Sequence, residues 1–288
     1  MSEHTHPISF GLVTGQHHLT WDQVRDQWLL GEELGFDAMY LFDHFTGLYG
    51  DEAGPCLEAS TLLAALARET EKVDIGVLVY GNTHRHPAML AKEIVTIDHV
   101  SNGRAILGIG AGWNENEHRW YGWELPEPGP RIRMFDEAMT IIHGLMDADE
   151  RFSFDGEFYT IDNAPFSPKP VRQPMPVLIG AKGNKNLRVV AKHADIWDGG
   201  GRDLAVRKER VEELKRACDE VGRDFNEISQ SQGYGASGLL DVDNLEELIR
   251  TQREAGVDQF LFDMPLTKEE QDVVRKVATE ILPKFRES

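Results

Sequence analysis

Strand-like and helix-like segments alternate eight times along this chain, and this alternation limits the possible folds more than any other feature of the sequence. Short apolar runs predict the strands, and the segments between them have helical periodicity. The predicted strands span residues 8–14, 36–43, 73–80, 104–112, 177–181, 194–199, 228–234 and 259–264. The predicted helices span residues 20–35, 57–70, 87–101, about 131–146, 187–193, 204–221, 244–255 and 268–285, and Thr20 is the predicted N-cap of the first. Eight such units in 288 residues indicate an α/β fold, a closed parallel TIM (β/α)8 barrel more than an open sheet.

Two segments are longer than a minimal barrel needs. Residues 113–130, after the fourth strand, form a polar, aromatic and proline-rich stretch that we predict to be a loop. Residues 149–176 contain two alternating runs around Asp155-Gly156, which predict a hairpin, and then a proline-rich return to the fifth strand. We therefore interpret residues 1–288 as one barrel domain with an excursion over its rim at about 149–176.

The balance of charges limits the classes of partner. Thirty lysines and arginines against 49 aspartates and glutamates give a net charge of −19, which disfavours nucleic acid and anionic membranes. The first residues show no signal-peptide pattern, and no apolar stretch approaches the roughly 18 residues of a membrane span. Cys56 and Cys218 lie outside any metal-binding or disulfide spacing. The sequence predicts a cytoplasmic protein that acts on a small molecule and has no structural metal.

The second predicted strand ends abruptly in Asp43 and His44. Side chains at the carboxyl ends of barrel strands face the active site. A buried Asp43 would fix the tautomer of His44 and make it a general acid or base; the alternative is that the pair only caps the strand and the next helix. No nucleophile motif accompanies the pair, so the sequence does not indicate hydrolysis.

Two predicted strands end in glycine-rich sequence. Residues 108–113 (GIGAGW) lack the third glycine of a dinucleotide fingerprint, so we interpret them as a strand end open to a flat ring or a phosphate, or as close packing inside the barrel. Residues 179–184 (IGAKGN) are compatible with a phosphate-binding turn that includes Lys182, and equally with an ordinary strand–helix turn.

The segment after the third strand, residues 82–87, contains His84, Arg85 and His86. A metal site at the two histidines lacks a nearby carboxylate or cysteine ligand. We expect Arg85 to contact an anion or to form an ion pair at the start of the next helix.

Together these segments resemble the luciferase-like monooxygenase superfamily of flavin and deazaflavin enzymes. The resemblance covers nearly the whole chain, and its motifs are LFDHF at 41–45, THRHPAMLAKEIVTIDHVSNGR at 83–104, LGIGAGWNENE at 107–117 and VLIGAKG at 177–183. It is strongest to the coenzyme F420-dependent branch, in which an Asp-His pair closes the second strand. The resemblance implies a TIM barrel with insertions, a homodimer, and a deazaflavin ring at the carboxyl-terminal mouth of the barrel.

The resemblance also implies roles for individual residues. His44 is the implied acid/base, and Asp43 lies beside the ring and orients or tunes His44. The other residues implied to contact the coenzyme are Val77, Leu78, Val79, Ala111, Gly112 and Trp113 at the ring, and Gly180, Ala181, Lys182 and Gly183 at the phosphate. The family carries a non-prolyl cis peptide in its third strand, and the matching bond here is Val77-Leu78.

Two positions differ from a sugar-phosphate dehydrogenase of this branch. Leu48 stands where that relative has an aromatic residue, and Trp113 where it has a glutamate. With Trp120, Tyr121 and Trp123, this change predicts a larger, flatter and more apolar substrate; the alternative is that these rings only pack the inserted loop.

We therefore expect an oxidoreductase that transfers a hydride between coenzyme F420 and a small organic substrate. An FMN-dependent monooxygenase using reduced flavin and oxygen is one alternative. A barrel that binds cofactor without catalysis is another.

Overall fold

The computed structural model describes residues 6–181, 183 and 186–286. Its strands are β1 (Ser9–Val13), β2 (Ala38–Leu41), β3 (Asp74–Val77), β4 (Tyr80–Gly81), β5 (Ala105–Gly110), β6 (Arg151–Asp155), β7 (Thr160–Pro165), β8 (Val177–Gly180), β9 (Ile196–Asp198), β10 (Ser229–Gly233) and β11 (Gln259–Asp263). Its α-helices are α1 (Trp21–Glu33), α2 (Ala59–Glu69), α3 (Pro87–Ser101), α4 (Glu115–Tyr121), α5 (Pro128–Asp147), α6 (Leu187–His193), α7 (Leu204–Val221), α8 (Gly235–Leu240), α9 (Val242–Glu254), α10 (Lys268–Glu280) and α11 (Pro283–Arg286).

Nine of these strand segments form one sheet that closes on itself. Their order is β3-β2-β1-β11-β10-β9-β8-β5-β4, and β3 also pairs with β5. Because β3 and β4 both pair with β5, they are two pieces of one interrupted strand, so the described part of the chain builds eight strand positions from nine segments. Every pairing in this sheet is parallel. The prediction of a TIM barrel is confirmed.

The third strand is interrupted by a cis peptide bond. We predicted an unbroken strand at 73–80 with the cis bond at Val77-Leu78, whereas the cis bond joins Leu78 to Val79, one residue later. After it, β4 continues the pairing, with Tyr80 opposite Ile109.

The apolar core has an inner and an outer part. Buried side chains from five strands fill the barrel: Tyr40, Ile106, Leu178, Ile196 and Leu261, with Leu78 and Val79 packed against them. A larger cluster contains the buried faces of the surrounding helices. Residues of a barrel strand alternate between interior and exterior, and the interior ones fill the space inside the barrel. A ligand can therefore bind only at the mouth of the barrel.

Local sequence signals explain where several helices begin and end. Thr20 caps α1 in a capping box with Gln23, as predicted from its position. Pro87 is the first residue of α3. Gly256, with φ of +94°, follows α9 in a backbone conformation that glycine adopts without strain.

The two segments longer than a minimal barrel both contain regular structure. Residues 113–130, predicted to be a loop, contain α4, whose first N–H groups are capped by Asn114. β6 and β7 form the predicted antiparallel hairpin outside the barrel sheet. Glu137 on α5 accepts hydrogen bonds from the backbone of 157–159 and fixes this hairpin to the barrel helices.

The carboxyl-terminal third differs from the prediction in two places. A short helix, α8, follows β10, and the predicted helix at 268–285 is divided into α10 and α11. Across the described ranges, no helix combines the length and the apolar character needed to cross a membrane.

We expect Gly108→Ala to destabilise the barrel. A β-carbon at this position would lie 1.9 Å from the carbonyl oxygen of Val77, so the strands would have to separate. Forcing a methyl group into a packed interior costs about 1–3 kcal/mol or more, which urea unfolding at neutral pH would detect. Gly129→Ala is the matched control, because a β-carbon there meets nothing within 4 Å. Equal unfolding midpoints for the two variants would contradict this account.

Candidate active site

His44 lies at the barrel mouth and is bonded to a carboxylate that the sequence analysis did not identify. Its Nδ1 is 2.7 Å from Oε2 of Glu117, on α4. The Glu117 side chain is fully buried, and that of His44 is 11% exposed. The other Glu117 oxygen accepts hydrogen bonds from the backbone N–H groups of Phe45 and Thr46 and from the Thr46 hydroxyl. One carboxylate therefore fixes both the His44 ring and the chain that follows it.

This contact defines which nitrogen of His44 can exchange a proton. Burial by itself raises the pKa of the Glu117 carboxyl, but the hydrogen bonds from His44, Phe45 and Thr46 outweigh it and hold that pKa below its ordinary value. An ionised carboxylate only accepts hydrogen bonds, so Nδ1 of His44 carries a proton. The exchangeable position is Nε2, which suits a general acid or base.

Asp43 has a different set of partners. Its buried carboxylate receives two hydrogen bonds from the Arg85 guanidinium, one from Nδ1 of His84 and one from the backbone N–H of Gly81, all between 2.8 and 2.9 Å. Burial raises the pKa of Asp43, but the bonds from His84 and Arg85 dominate and lower it to about 2. Asp43 therefore connects the end of β2 to the segment that follows β4.

The predicted partnership between Asp43 and His44 is thus wrong in one respect. The carboxylate that orients His44 is Glu117, and the bonds of Asp43 go to the segment after the third strand. The reason is geometric, since successive residues of an extended chain point to opposite sides. Arg85 forms an ion pair, as expected, and its partner is Asp43.

An aromatic cluster packs α4 against the segment after β2. Phe45 contacts the Trp123 ring at a centroid distance of 4.7 Å, and Tyr121 stacks on Trp123 at 5.1 Å. His84 and His118 also contact Trp123. Tyr121 and Trp123 therefore pack the inserted loop, the alternative to a direct substrate role that the sequence left open.

A cleft of about 420 Å³ lies beside this cluster. It is lined by Phe45, Thr46, Glu52, Ala53, Gly54, Trp120 and Tyr121. Its walls come from the segment after β2 and from α4, the two elements that Glu117 joins.

The glycines at the ends of β5 and β8 surround the interrupted strand. A β-carbon on Gly110 or on Gly180 would lie 3.0–3.1 Å from the Val79 side chain, so both glycines make room for Val79. Gly108 is required by close packing against Val77, which favours the packing interpretation at that position. Together Leu78, Val79 and the side-chain-free strand ends form an apolar floor at the mouth.

The remaining predicted residues lie around this floor. Ala111 is buried, Gly112 has φ of +84°, and the Trp113 ring contacts His44 at 5.4 Å while 64% of Trp113 is exposed. Gly180 is the last residue of β8, Ala181 and Gly183 follow it, and the Ala181 carbonyl accepts a hydrogen bond from the Trp197 indole. The predicted Lys182 lies outside the described residues.

Sequence reasoning missed Glu117 because it lies in a segment predicted to be a loop. Asn114 followed three residues later by Glu117 is a capping-box pattern, which indicates the start of a helix. Nothing in that pattern indicates that the Glu117 side chain turns toward His44, 73 residues earlier.

We expect Asp43→Asn to destabilise the protein by up to about 3–5 kcal/mol at neutral pH. The buried Arg85 guanidinium would lose its nearest carboxylate and keep only the longer contacts to Glu58 and Glu93, at 3.6 and 3.7 Å. The folded pKa of Asp43, about 2, lies below its unfolded value of about 3.9, so this stabilisation is complete above roughly pH 4 and is lost as pH falls through 2. Unfolding free energies measured from neutral to acidic pH should therefore converge for the wild type and the variant. Asp162→Asn, at an exposed position on β7, is the control. A difference in unfolding free energy between the wild type and Asp43→Asn that does not decrease in acid would contradict the prediction.

Comparison with known proteins assigns the family. The model of the luciferase-like monooxygenase family matches residues 5–274. A relative from Microbacterium testaceum (strain StLB037), named F420-dependent glucose-6-phosphate dehydrogenase, is 34% identical over 249 residues, which are 85% of this chain and 73% of the relative.

Two solved structures share the fold. One is an F420-dependent secondary alcohol dehydrogenase in complex with an F420-acetone adduct, with a TM-score of 0.84 at 19% identity over 94% of this chain and 98% of that one. The other is the coenzyme F420-dependent tetrahydromethanopterin reductase from Methanopyrus kandleri, with a TM-score of 0.81 at 17% identity over 97% and 99% of the two chains. From the extent of the family match, this chain belongs to the luciferase-like monooxygenase family.

Proposed function

We propose that this protein is a coenzyme F420-dependent oxidoreductase in which His44 exchanges a proton with a small organic substrate. The observation that carries the proposal is the buried Glu117 carboxylate bonded to Nδ1 of His44 at the barrel mouth. The F420-dependent relative, 34% identical over 85% of this chain, supports the choice of coenzyme.

The residues at the mouth fit a flat ring. Leu78 and Val79 lie half-buried on top of the barrel interior. Gly110 and Gly180 beside them present no side chain, and a β-carbon on either would press on Val79. Such a floor admits the face of a planar ring without steric conflict.

We assign the remaining predicted contacts to the same coenzyme. Ala111, Gly112 and Trp113 would line its ring, and the backbone N–H groups of Gly180, Ala181 and Gly183 would hold its phosphate. The coenzyme also carries an anionic tail beyond its phosphate. Arg85 is poorly suited to bind that tail, because Asp43 already binds its guanidinium. Arg202, which is exposed and bonded to the Gly233 carbonyl through Nε, retains other donors for such a contact.

The bound deazaflavin supplies the hydride donor or acceptor of the reaction. His44 takes the hydroxyl proton of an alcohol at Nε2 when the substrate is oxidised, and returns it to the oxygen when the substrate is reduced. Glu117 stabilises the imidazolium that forms and keeps the ring in one orientation. Asp43 has a structural role, because its bonds to Arg85 and Gly81 hold the segment after β4 beside β2.

Replacement of His44 tests the proposed acid/base. We expect His44→Ala to lower kcat by about 10²–10⁴-fold on any substrate that the wild type turns over, since this is the usual contribution of a positioned general acid or base. The dissociation constant of F420 should stay close to the wild-type value, because the ring floor is built by other residues. Unchanged kcat would exclude His44 as the acid/base.

A separate variant tests the positioning role of Glu117. Glu117→Gln keeps the shape of the side chain but removes its charge, so a smaller fall in kcat is expected. The acid limb of the kcat–pH profile should move to lower pH, because an amide stabilises an imidazolium less than a carboxylate does. A purely structural role would lower stability in urea without moving the pH profile.

Direct titration distinguishes F420 from the FMN alternative. FMN shares the ring and first phosphate, so the two cofactors would occupy the same floor and differ in contacts to the anionic tail. We expect fluorescence titration of the purified protein to give a dissociation constant for F420 at least about tenfold below that for FMN, which corresponds to about 1.4 kcal/mol. Equal or tighter FMN binding would favour a flavin-dependent monooxygenase, and binding of F420 without turnover would favour a non-catalytic barrel.

A further inference from the structure

Five rings stand in a continuous row at the barrel mouth, and the proposed function uses only part of it. The row, here called the ring row, consists of Tyr49, His17, Phe42, His44 and Trp113 in that order. Successive ring centroids are 5.9, 5.2, 5.3 and 5.4 Å apart. These are the distances of ordinary aromatic contacts. His17 and Phe42 are stacked, whereas the other three pairs meet edge to face, so the five rings are connected but inclined to one another.

The two ends of the ring row are exposed to solvent, and its centre is buried. Tyr49 is 75% exposed and Trp113 is 64% exposed, whereas Phe42 is only 8% exposed. Large aromatic side chains exposed on both sides of an active-site histidine form a surface on which a flat apolar molecule can stack.

His17 has a polar atom without a partner. Its Nδ1 is buried and has no hydrogen-bond partner within the described part of the chain, although buried polar atoms are nearly always paired. Its ring is stacked on Phe42, and the His44 ring contacts Phe42 as well. The two histidines therefore lie next to the same phenyl ring in the row.

His17 is held in its neutral form. Burial lowers the pKa of His17, and the neighbouring imidazoles of His18 and His44 lower it further. A neutral imidazole can donate or accept one hydrogen bond but offers no charge to an anion.

The surroundings of the ring row are unsuited to a phosphate. Among the described residues, no lysine or arginine stacks on any of these five rings, and the Arg85 guanidinium is bound by Asp43. Glu117 lies directly behind His44, and Glu52 lines the neighbouring cleft. A phosphorylated sugar on the row would lose water without gaining a cation, which is unfavourable.

We infer that the substrate is a neutral, planar, aromatic or conjugated compound that stacks on the ring row, with one oxygen at His44 and a second polar group at His17. This inference rests on the proposed function for the role of His44. The part of the inference that concerns substrate binding depends only on the five rings of the row.

The test uses 2-naphthol as a neutral planar probe and isothermal titration of the full chain, with and without F420. We expect saturable binding of 2-naphthol in at least one of these states and weaker binding of glucose 6-phosphate. Tyr49→Ala and Trp113→Ala should each weaken 2-naphthol binding by about three- to tenfold, the usual effect of losing one aromatic contact. Trp120→Ala is the matched control, because Trp120 is exposed but lies outside the row. Its affinity for the probe should equal that of the wild type.

His17→Phe tests the polar contact separately. This change keeps a ring on Phe42 and removes the nitrogen. It should therefore weaken binding of 2,6-dihydroxynaphthalene, which offers a second hydroxyl, and leave unchanged that of 2-naphthol, whose single hydroxyl is assigned to His44. Equal weakening of both ligands, or of neither, would remove His17 from the proposed site.

Three outcomes would overturn the inference: tighter binding of glucose 6-phosphate than of 2-naphthol, wild-type affinity in both the Tyr49 and Trp113 variants, or a loss confined to Trp120→Ala. Failure of this inference can be distinguished from failure of the proposed function. Binding of 2-naphthol to the coenzyme-free protein would support this inference even if F420 did not bind. Binding of F420 would support the proposed function even if 2-naphthol did not bind.

Discussion

The arrangement of the barrel mouth depends on one buried carboxylate, that of Glu117. Its two oxygens accept hydrogen bonds from four groups of residues 44–46, while the residue itself belongs to α4 in the segment after the fourth barrel strand. A buried charge without such donors would cost several kcal/mol, so the helix and the segment after β2 are fixed together or not at all. The orientation of His44, the aromatic packing around Phe45 and the walls of the neighbouring cleft all follow from this link.

Two acidic side chains near His44 thus have separate tasks. Asp43 continues the second barrel strand but binds the basic segment after the third, and so joins two neighbouring units of the barrel. Glu117 comes from the inserted segment and binds the histidine that would react. Both have lowered pKa values because hydrogen-bond donors outweigh burial, so both remain ionised at neutral pH.

The sequence was sufficient where a local pattern determines the structure. The eight strand–helix units, the cap at Thr20, the hairpin at Asp155-Gly156 and the position of His44 were all predicted from neighbouring residues. Glu117 and the unpaired nitrogen of His17 could not be predicted in this way. Their significance depends on contacts between segments far apart in the chain, and a run such as NENEH contains no information on which distant residue a carboxylate will meet. The predicted position of the cis bond was one residue too early for the same reason, because local sequence does not show how neighbouring strands pack.

The position of Glu117 has a consequence for how this active site can change in evolution. In a TIM barrel the strands supply a rigid floor and the loops after them supply specificity. Here the residue that orients the proposed acid/base lies on the same inserted segment as Trp113, the exposed ring that contacts His44. An insertion or deletion in that segment would also move Glu117, and with it His44. Substitutions such as tryptophan for glutamate at position 113 keep the length and helical cap of the segment, so they can change the surface offered to a substrate while the bond between Glu117 and His44 stays in place.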